Sequence, residues 1–192
     1  MNYQQLFDFE AALAKYTGAP YVVVTDGCTH AMELCFRHEL NYSCEIPAFT
    51  YISVLQMLRQ LGVDYTLRTE YWTGEYNFKG TRIWDSARRL ERNMYRPGQL
   101  QCLSFGFDKP LPLGKGGAIL LDNQAEYEMF SCMRSDGRDL RINPWQTQEV
   151  FREGYHYCPT LELCAEGLVK LPAIEPQSQK VQYPDLRLIT IS

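Results

Sequence analysis

The chain has 192 residues and a formal net charge of −4, with 45% hydrophobic and 22% charged residues. This size and balance fit one globular domain, and the charge argues against binding to nucleic acid or to an anionic membrane surface. No apolar run approaches the roughly 18 residues of a membrane span. The first residues, MNYQQLFDFEAALAKY, lack the pattern of a signal peptide. The seven cysteines form no CxxC pair, so we expect no metal site, free thiols and a cytoplasmic protein.

Hydrophobic periodicity and turn residues predict the elements. In chain order they are a helix at 6–16, a strand at 21–27, a helix at 28–40, a strand, turn and helix within 46–62, a strand at 63–68, a turn-like stretch at 71–80, strands at 81–85, 101–107 and 116–122, and helices at 124–134 and 159–171. Strands that alternate with helices predict an α/β fold with a largely parallel sheet sandwiched by helices. In such sheets, ligands collect at the carboxyl ends of the strands.

The last part of the chain differs in composition from the rest. Three prolines fall within the stretch LPAIEPQSQKVQYPDLRLITIS, which begins at Leu171. We therefore expect an α/β domain at 1–171 and an extended arm at 172–192 that ends in a short strand. We further expect this arm to pack across a dimer.

Lys109 is the first candidate site residue. It follows an apolar segment that contains Ser104 and precedes a glycine pair, KGG, at 115–117. A lysine in a loop is usually solvated, but these glycines let backbones approach closely. In a pocket, the neutral amine of a lysine can form a Schiff base with a carbonyl.

Asp85 is the second candidate, at the end of a short strand. An acid in this place can cap a following helix, which SARRLER could form. It can also lie beneath a cofactor ring and keep a pyridinium nitrogen protonated. The nearby arginines at 88, 89, 92 and 96 are then interpreted as the solvated face of that helix.

The turn TDGCTHAM, at 25–32, joins a strand to a helix. It could be an ordinary turn capped by a threonine or an aspartate. It could instead bind a phosphate through the N–H groups of Cys28 and Thr29, the Thr29 hydroxyl and the helix dipole. The turn contains neither a P-loop nor a GxGxxG motif.

Tyr51 follows the next strand, in the turn PAFTY. An aromatic residue in such a loop usually serves packing. Its flat face could also stack on a cofactor ring.

The order of these candidates resembles fold-type-I enzymes that use pyridoxal 5'-phosphate (PLP), and more narrowly the DegT/DnrJ/EryC1/StrS family of sugar aminotransferases. Six stretches carry the resemblance: DGCTHA at 26–31, PAFTY at 47–51, WDSA at 84–87, SFGFDK followed by GKGG at 104–117, RSDG at 134–137 and GYHYCPTLELCAEGLVKL at 154–171. The resemblance covers roughly residues 6–171 and implies a minimal fold-type-I large domain that binds PLP.

The resemblance also implies roles for individual residues. Lys109 would carry the internal aldimine and move protons, and Asp85 would bind the pyridine nitrogen. Tyr51 would stack on the ring. The phosphate would be held by Gly27, Cys28, Thr29 and Ser104. His156 stands where relatives use an asparagine that reaches the phosphate of the neighbouring subunit, which implies a homodimer with shared sites.

The sequence departs from the family pattern in length and in single residues. There is no room between Tyr51 and Asp85 for the usual extra strand and crossover helix, and no small domain is expected after Leu171. Arg88 replaces a glutamine or histidine near the phenolic oxygen of the cofactor. It would favour the deprotonated oxygen or clamp a substrate carboxylate or phosphate.

Three functions remain open from the sequence. The first is a PLP-dependent aminotransferase that moves an amine from an amino-acid donor to a keto-sugar nucleotide or a similar carbonyl. The second is a PLP-dependent decarboxylase or lyase that breaks another bond at Cα. The third is a catalytically degenerate relative that serves as a partner or binding subunit.

Overall fold

The computed structural model describes residues 2–40, 42–180 and 182–190. Its helices are α1 Gln4–Thr17, α2 Cys28–Glu39, α3 Ile52–Gln60, α4 Gln124–Met133 and α5 Leu161–Lys170. Its strands are β1 Tyr21–Thr25, β2 Ser43–Pro47, β3 Asp64–Arg68, β4 Tyr76–Asn77, β5 Ile83–Asp85, β6 Arg89–Leu90, β7 Leu100–Ser104, β8 Gly117–Leu121 and β9 Gln177–Ser178. All five predicted helices form, and strands form within every stretch before residue 171 that was predicted to contain one.

The main sheet has the strand order β1-β8-β7-β5-β4, and β2 and β3 form a second pair. A backbone bridge between Glu45 and Lys79 joins the two, with N···O distances of 3.2 and 3.0 Å. The pairs β5–β7 and β2–β3 are parallel, whereas β8 and β4 run antiparallel to their neighbours. The expectation of a largely parallel sheet is therefore met only in part, because this sheet is mixed.

Helices cover both faces of the main sheet, as the sequence predicts. Alternate residues of β1 point to opposite faces: Val23 lies in the core beneath α2, α3 and α4, whereas Val22 and Val24 face α1 and α5. In β8, Ile119 and Ala118 divide between the two cores in the same way. This period-two burial follows from the pleat of a strand. Each fully buried valine or isoleucine contributes about 1.5–3 kcal/mol of transfer free energy.

A buried ion pair fixes the end of β1. Arg134, at the end of α4, binds the Glu10 carboxylate and donates to the Val24 carbonyl oxygen at 2.6 Å. Glu10 also accepts from the Val24 amide at 2.9 Å. Removing one partner of such a pair leaves an uncompensated buried charge. The pair thus holds the strand that leads into the turn at 25–29.

The stretch after β5 is not a helix, so the interpretation of its arginines as a solvated helix face is wrong. Residues 86–96 form turns and the short strand β6. Arg89 and Arg96 each donate to Glu75 at 2.6 Å, and the Arg92 guanidinium lies 4.8 Å from the Tyr16 ring centroid. The mostly buried Glu75 carboxylate draws Arg89 and Arg96 inward, a non-local interaction that the sequence does not display.

The C-terminal segment lies against its own chain. β9 pairs with β6, and the buried Leu186 donates its amide to the Ala48 carbonyl at 2.9 Å. Leu186–Leu188 form a 3₁₀ turn where the end of the arm was predicted to be a strand, and residues 191–192 lie outside the described residues. The domain boundary at residue 171 stays a prediction.

Candidate active site

A cavity of about 540 Å³ opens at the carboxyl ends of β1, β5 and β7. It brings together eight of the nine predicted site residues: Gly27, Cys28, Thr29, Tyr51, Asp85, Arg88, Ser104 and Lys109. His156 does not line it. The His156 side chain is 90% exposed and its Nδ1 lies 2.9 Å from Asp136.

The turn at 25–29 presents a free helix end to this cavity. Gly27 is the N-cap of α2 and no side chain caps the first turn. A Cβ added at Gly27 would meet no heavy atom within 4 Å, so the space in front of the turn is open. The start of α2 is therefore open to an anion at Gly27, and the helix dipole favours one there.

The second wall of this turn is the backbone of β8. A Cβ on Gly117 would lie 2.5 Å from the Cys28 nitrogen and 2.7 Å from the Gly27 carbonyl carbon. Gly116 also donates its amide to the Asp26 carbonyl at 3.1 Å. Gly117 is needed because the two backbones touch there, which agrees with the close approach expected from the sequence.

Side chains on the turn form a further network. The hydroxyls of Thr29 and Ser53 lie 2.7 Å apart, and Asp26 contacts His30 at 2.6 Å and Lys115 at 3.5 Å. Burial alone would raise the pKa of Asp26, but the hydrogen bond and charge of His30, with Lys115, hold it below its usual value. Ser53, the second residue of α3, carries no signal in the sequence that links it to this site.

Asp85 lies on the floor of the cavity and is 3% exposed. It accepts from the Ala87 amide at 2.9 Å and from the Tyr76 hydroxyl, which is 2.9 Å from the Thr50 hydroxyl. The hydrogen bond from the Ala87 amide to the Asp85 side chain closes a turn and does not cap a helix. Burial raises the pKa of Asp85, and burial and the Asp85 charge raise that of Tyr76 well above its usual value. Tyr76 thus stays a neutral donor to the carboxylate.

Cys28 lies between the turn and this floor. Its thiol is buried and points at the Cys102 carbonyl oxygen, 3.7 Å away. Burial, followed by the nearby Asp85 charge, raises the pKa of Cys28 well above its usual value. A neutral thiol is a poor nucleophile, so Cys28 is a small residue in the wall of the cavity.

Lys109 closes the cavity from the side of β7. That strand ends at Ser104, and the Lys109 amide donates to the Gly106 carbonyl at 3.2 Å in the turn that follows. The Lys109 Nζ lies 3.5 Å from the Tyr183 hydroxyl. The sequence did not identify Tyr183, because no local pattern links it to a lysine so far away in the chain.

Tyr51 stands at the rim and is 56% exposed. Its ring centroid lies 6.0 Å from that of Tyr183. Tyr51 therefore has a free face, rather than the buried position of an ordinary packing residue.

The family model of the DegT/DnrJ/EryC1/StrS aminotransferase family matches residues 1–67 and 87–182. The chain belongs to this family. The resemblance inferred from its motifs is thus confirmed, and the α/β fold class with it.

Solved structures of several proteins share the fold of this family member. AtS13 from Actinomadura melliaura is 20% identical with a TM-score of 0.73, covering 88% of this chain and 60% of its own. PseC from Helicobacter pylori, an aminotransferase involved in the biosynthesis of pseudoaminic acid, is 15% identical with a TM-score of 0.69, covering 88% and 57%. Spr1654 from Streptococcus pneumoniae in its PLP form is 16% identical with a TM-score of 0.69, covering 88% and 59%.

The chain spans about 60% of the length of these relatives. No curated protein sequence matches it. The family match breaks at residues 68–86, which include Tyr76 and Asp85, and it ends just before Tyr183. Two parts of the cavity therefore come from outside the matched residues.

The cavity fits the cofactor of the family. An uncapped helix end with open space in front of Gly27 suits a phosphate. A buried carboxylate, Asp85, suits a pyridinium nitrogen, and the primary amine of Lys109 lies in the same cavity. No described helix is long and apolar enough to cross a lipid bilayer.

Proposed function

We propose that this chain is a PLP-dependent aminotransferase that moves an amine from an amino-acid donor to a keto-sugar nucleotide or a similar carbonyl compound. The observation that carries the proposal is the meeting of Lys109, Asp85 and the uncapped end of α2 in one cavity. Bound PLP supplies an electron sink for the carbanion formed at the substrate Cα.

Each residue has a defined part in this proposal. Lys109 anchors the cofactor covalently through Nζ and moves the proton at the substrate Cα. Asp85 keeps the pyridine nitrogen protonated, and the Tyr76 hydroxyl holds the Asp85 carboxylate in place. Tyr51 offers its free face to the ring.

The phosphate end uses backbone groups above all. The amides of Cys28 and Thr29 and the open space at Gly27 receive the phosphate, with the hydroxyls of Thr29 and Ser104 beside it. No cation is needed here, because the helix dipole and oriented amides supply the positive field.

We further propose a homodimer in which His156 reaches the site of the partner subunit. The exposed position of His156, outside its own cavity, supports this reading. The seven cysteines are free, which fits the cytosolic location that we propose.

The test is an absorption spectrum of the purified protein with added PLP, before and after borohydride. We expect a near-visible band and, after reduction, covalent attachment of one cofactor at Lys109 by peptide mass mapping. Lys109→Ala should abolish both. Lys79→Ala, which removes an exposed lysine outside the cavity, should change neither.

Product analysis then separates the reactions. Transfer of nitrogen from labelled glutamate to a ketone supports the aminotransferase, whereas release of carbon dioxide from the donor supports a decarboxylase. A folded protein with no band and no attached cofactor would exclude both and leave a binding subunit.

A further inference from the structure

Arg88 is a buried cation at the mouth of the cavity. It is 8% exposed, and its Nη1 donates to the Asp108 carbonyl at 2.6 Å and to Gln179 at 3.2 Å. Its Nη2 donates to the Asp108 carboxylate at 2.5 Å and to the Tyr183 hydroxyl at 3.3 Å. Within the described ranges its Nε is buried and has no hydrogen-bond partner. This guanidinium is built to hold an anion and still has donor capacity to spare.

In this structure, the anion that Arg88 binds is the side chain of Asp108. Asp108 is 70% exposed and only its Oδ2 contacts the guanidinium. The hydrogen bond from Arg88 holds the pKa of Asp108 below its usual value, so the side chain is a carboxylate at neutral pH. An ion pair with so exposed a partner is weak. An incoming carboxylate that engages two N–H groups at once can replace it.

Tyr183 links this cation to the catalytic lysine. Its hydroxyl accepts from both the Arg88 Nη2 and the Lys109 Nζ, at 3.3 and 3.5 Å. The segment that carries Tyr183 is held on both sides: the Gln179 amide donates to the Arg88 carbonyl at 2.8 Å, and Leu186 is buried beneath it. A carboxylate on Arg88 therefore lies close to the Lys109 amine, which would move the proton at the donor Cα.

We propose that Arg88 and Tyr183 form the subsite for a carboxylate of the amino donor, and that Asp108 occupies this subsite as an internal stand-in until the donor displaces it. The identity of the ligand as an amino acid rests on the proposed function. The anion site itself rests only on the contacts of Arg88.

The test uses glutarate, a dicarboxylate without an amine, titrated calorimetrically into the full chain with and without PLP. Asp108→Asn should tighten glutarate binding, up to about fivefold, because the internal competitor is gone. Arg88→Lys should weaken it roughly tenfold, because lysine keeps the charge but loses the two-pronged contact. Tyr183→Phe should weaken it about threefold. Asp64→Asn, which removes an exposed acid outside the cavity, is the control and should change nothing.

The opposite effects of Asp108→Asn and Arg88→Lys on glutarate affinity are decisive. If Asp108 served only to hold the loop in place, its removal would not strengthen glutarate binding. With PLP bound, the KM for the donor should move in the same directions as the glutarate affinity. Unchanged or weaker binding in Asp108→Asn would overturn the subsite, as would no binding to any variant. If these variants change the affinity for inorganic pyrophosphate but not for glutarate, the site binds the diphosphate of the nucleotide substrate and the proposal is wrong. Glutarate effects without any PLP attachment would sustain the subsite and refute the proposed function.

Discussion

The two ends of the cavity are built in different ways. At the proposed phosphate end, backbone lies against backbone: β8 touches the start of α2 at Gly117, and no side chain caps that helix. At the mouth, side chains meet: Arg88, Asp108 and Tyr183 come from a turn, a loop and the C-terminal segment. The first end is fixed by the sheet, whereas the second depends on residues that can be exchanged singly.

We propose that this difference separates two tasks, the binding of the cofactor phosphate and the selection of the donor. The phosphate turn lies within the residues matched by the family model, and Tyr183 lies beyond them. A backbone cradle suits a ligand that every relative shares, since it cannot be altered without moving the sheet. Side chains at the mouth suit the selection of a donor.

Gly117→Ala should have the largest effect. The added Cβ would lie 2.5 Å from the Cys28 nitrogen, a contact with backbone that no rotamer change can relieve. We expect the free energy of unfolding to fall by about 3 kcal/mol, measured by urea denaturation. The matched control is Gly27→Ala, whose Cβ meets nothing within 4 Å and whose φ of −171° is ordinary extended backbone.

Gly27→Ala should therefore change the free energy of unfolding by no more than about 1 kcal/mol. Its methyl group, however, enters the space in front of the turn. PLP attachment should weaken even though the protein stays folded. Equal destabilisation by the two alanine variants would contradict the backbone-contact account of this end.

Tyr76→Phe tests the floor between the two ends. The variant removes the hydroxyl that binds Asp85 and Thr50 and leaves the buried carboxylate with one donor fewer. We expect a loss of about 1–3 kcal/mol in the free energy of unfolding and a weaker PLP band. Tyr42→Phe, at an exposed tyrosine, should cost far less. If Tyr76→Phe changes neither the stability nor the PLP band, Asp85 is held by its hydrogen bond from the Ala87 amide alone.

The smallest effect is expected from the acid on the phosphate turn. Because the pKa of Asp26 is lowered in the folded protein, Asp26 stabilises the fold above the ordinary aspartate pKa of about 4. That contribution is lost as the pH falls through the folded-state pKa. Asp26→Asn should therefore reduce the loss of stability between pH 7 and pH 3, by less than about 1 kcal/mol since the pair is part-exposed. Urea titrations at both pH values measure this, and a steeper loss in the variant would reverse the sign we assign.

Local sequence patterns predicted the helices and strands, and they predicted most of the residues that line the cavity. The stretch YVVVTDGCTHAMEL contains a β-branched strand, a glycine turn and an amphipathic helix, and each forms where the period predicts it. Lys109 and Asp85 were identified because each occupies a fixed position in a short motif, SFGFDK and WDSA.

The residues that were missed share one property, which is that their partners are distant in the chain. β4 has two residues, too few for an alternating pattern to show, so Tyr76 was hidden in a stretch interpreted as a turn. Another missed residue, Tyr183, lies 95 positions from its partner Arg88. Contacts of this kind depend on the packed sheet and leave no local trace in the sequence.

The stretch between β3 and β5 holds a hairpin rather than a parallel crossover. A parallel strand in this place would need a long crossover through a helix, and only residues 69–82 separate β3 from β5. The antiparallel β4 returns directly into β5, and an isolated backbone bridge at Lys79, just after β4, joins this hairpin to β2. The break in the family match, at residues 68–86, thus contains this hairpin, and the strand β5 that the hairpin leads into still ends at the cavity with Asp85.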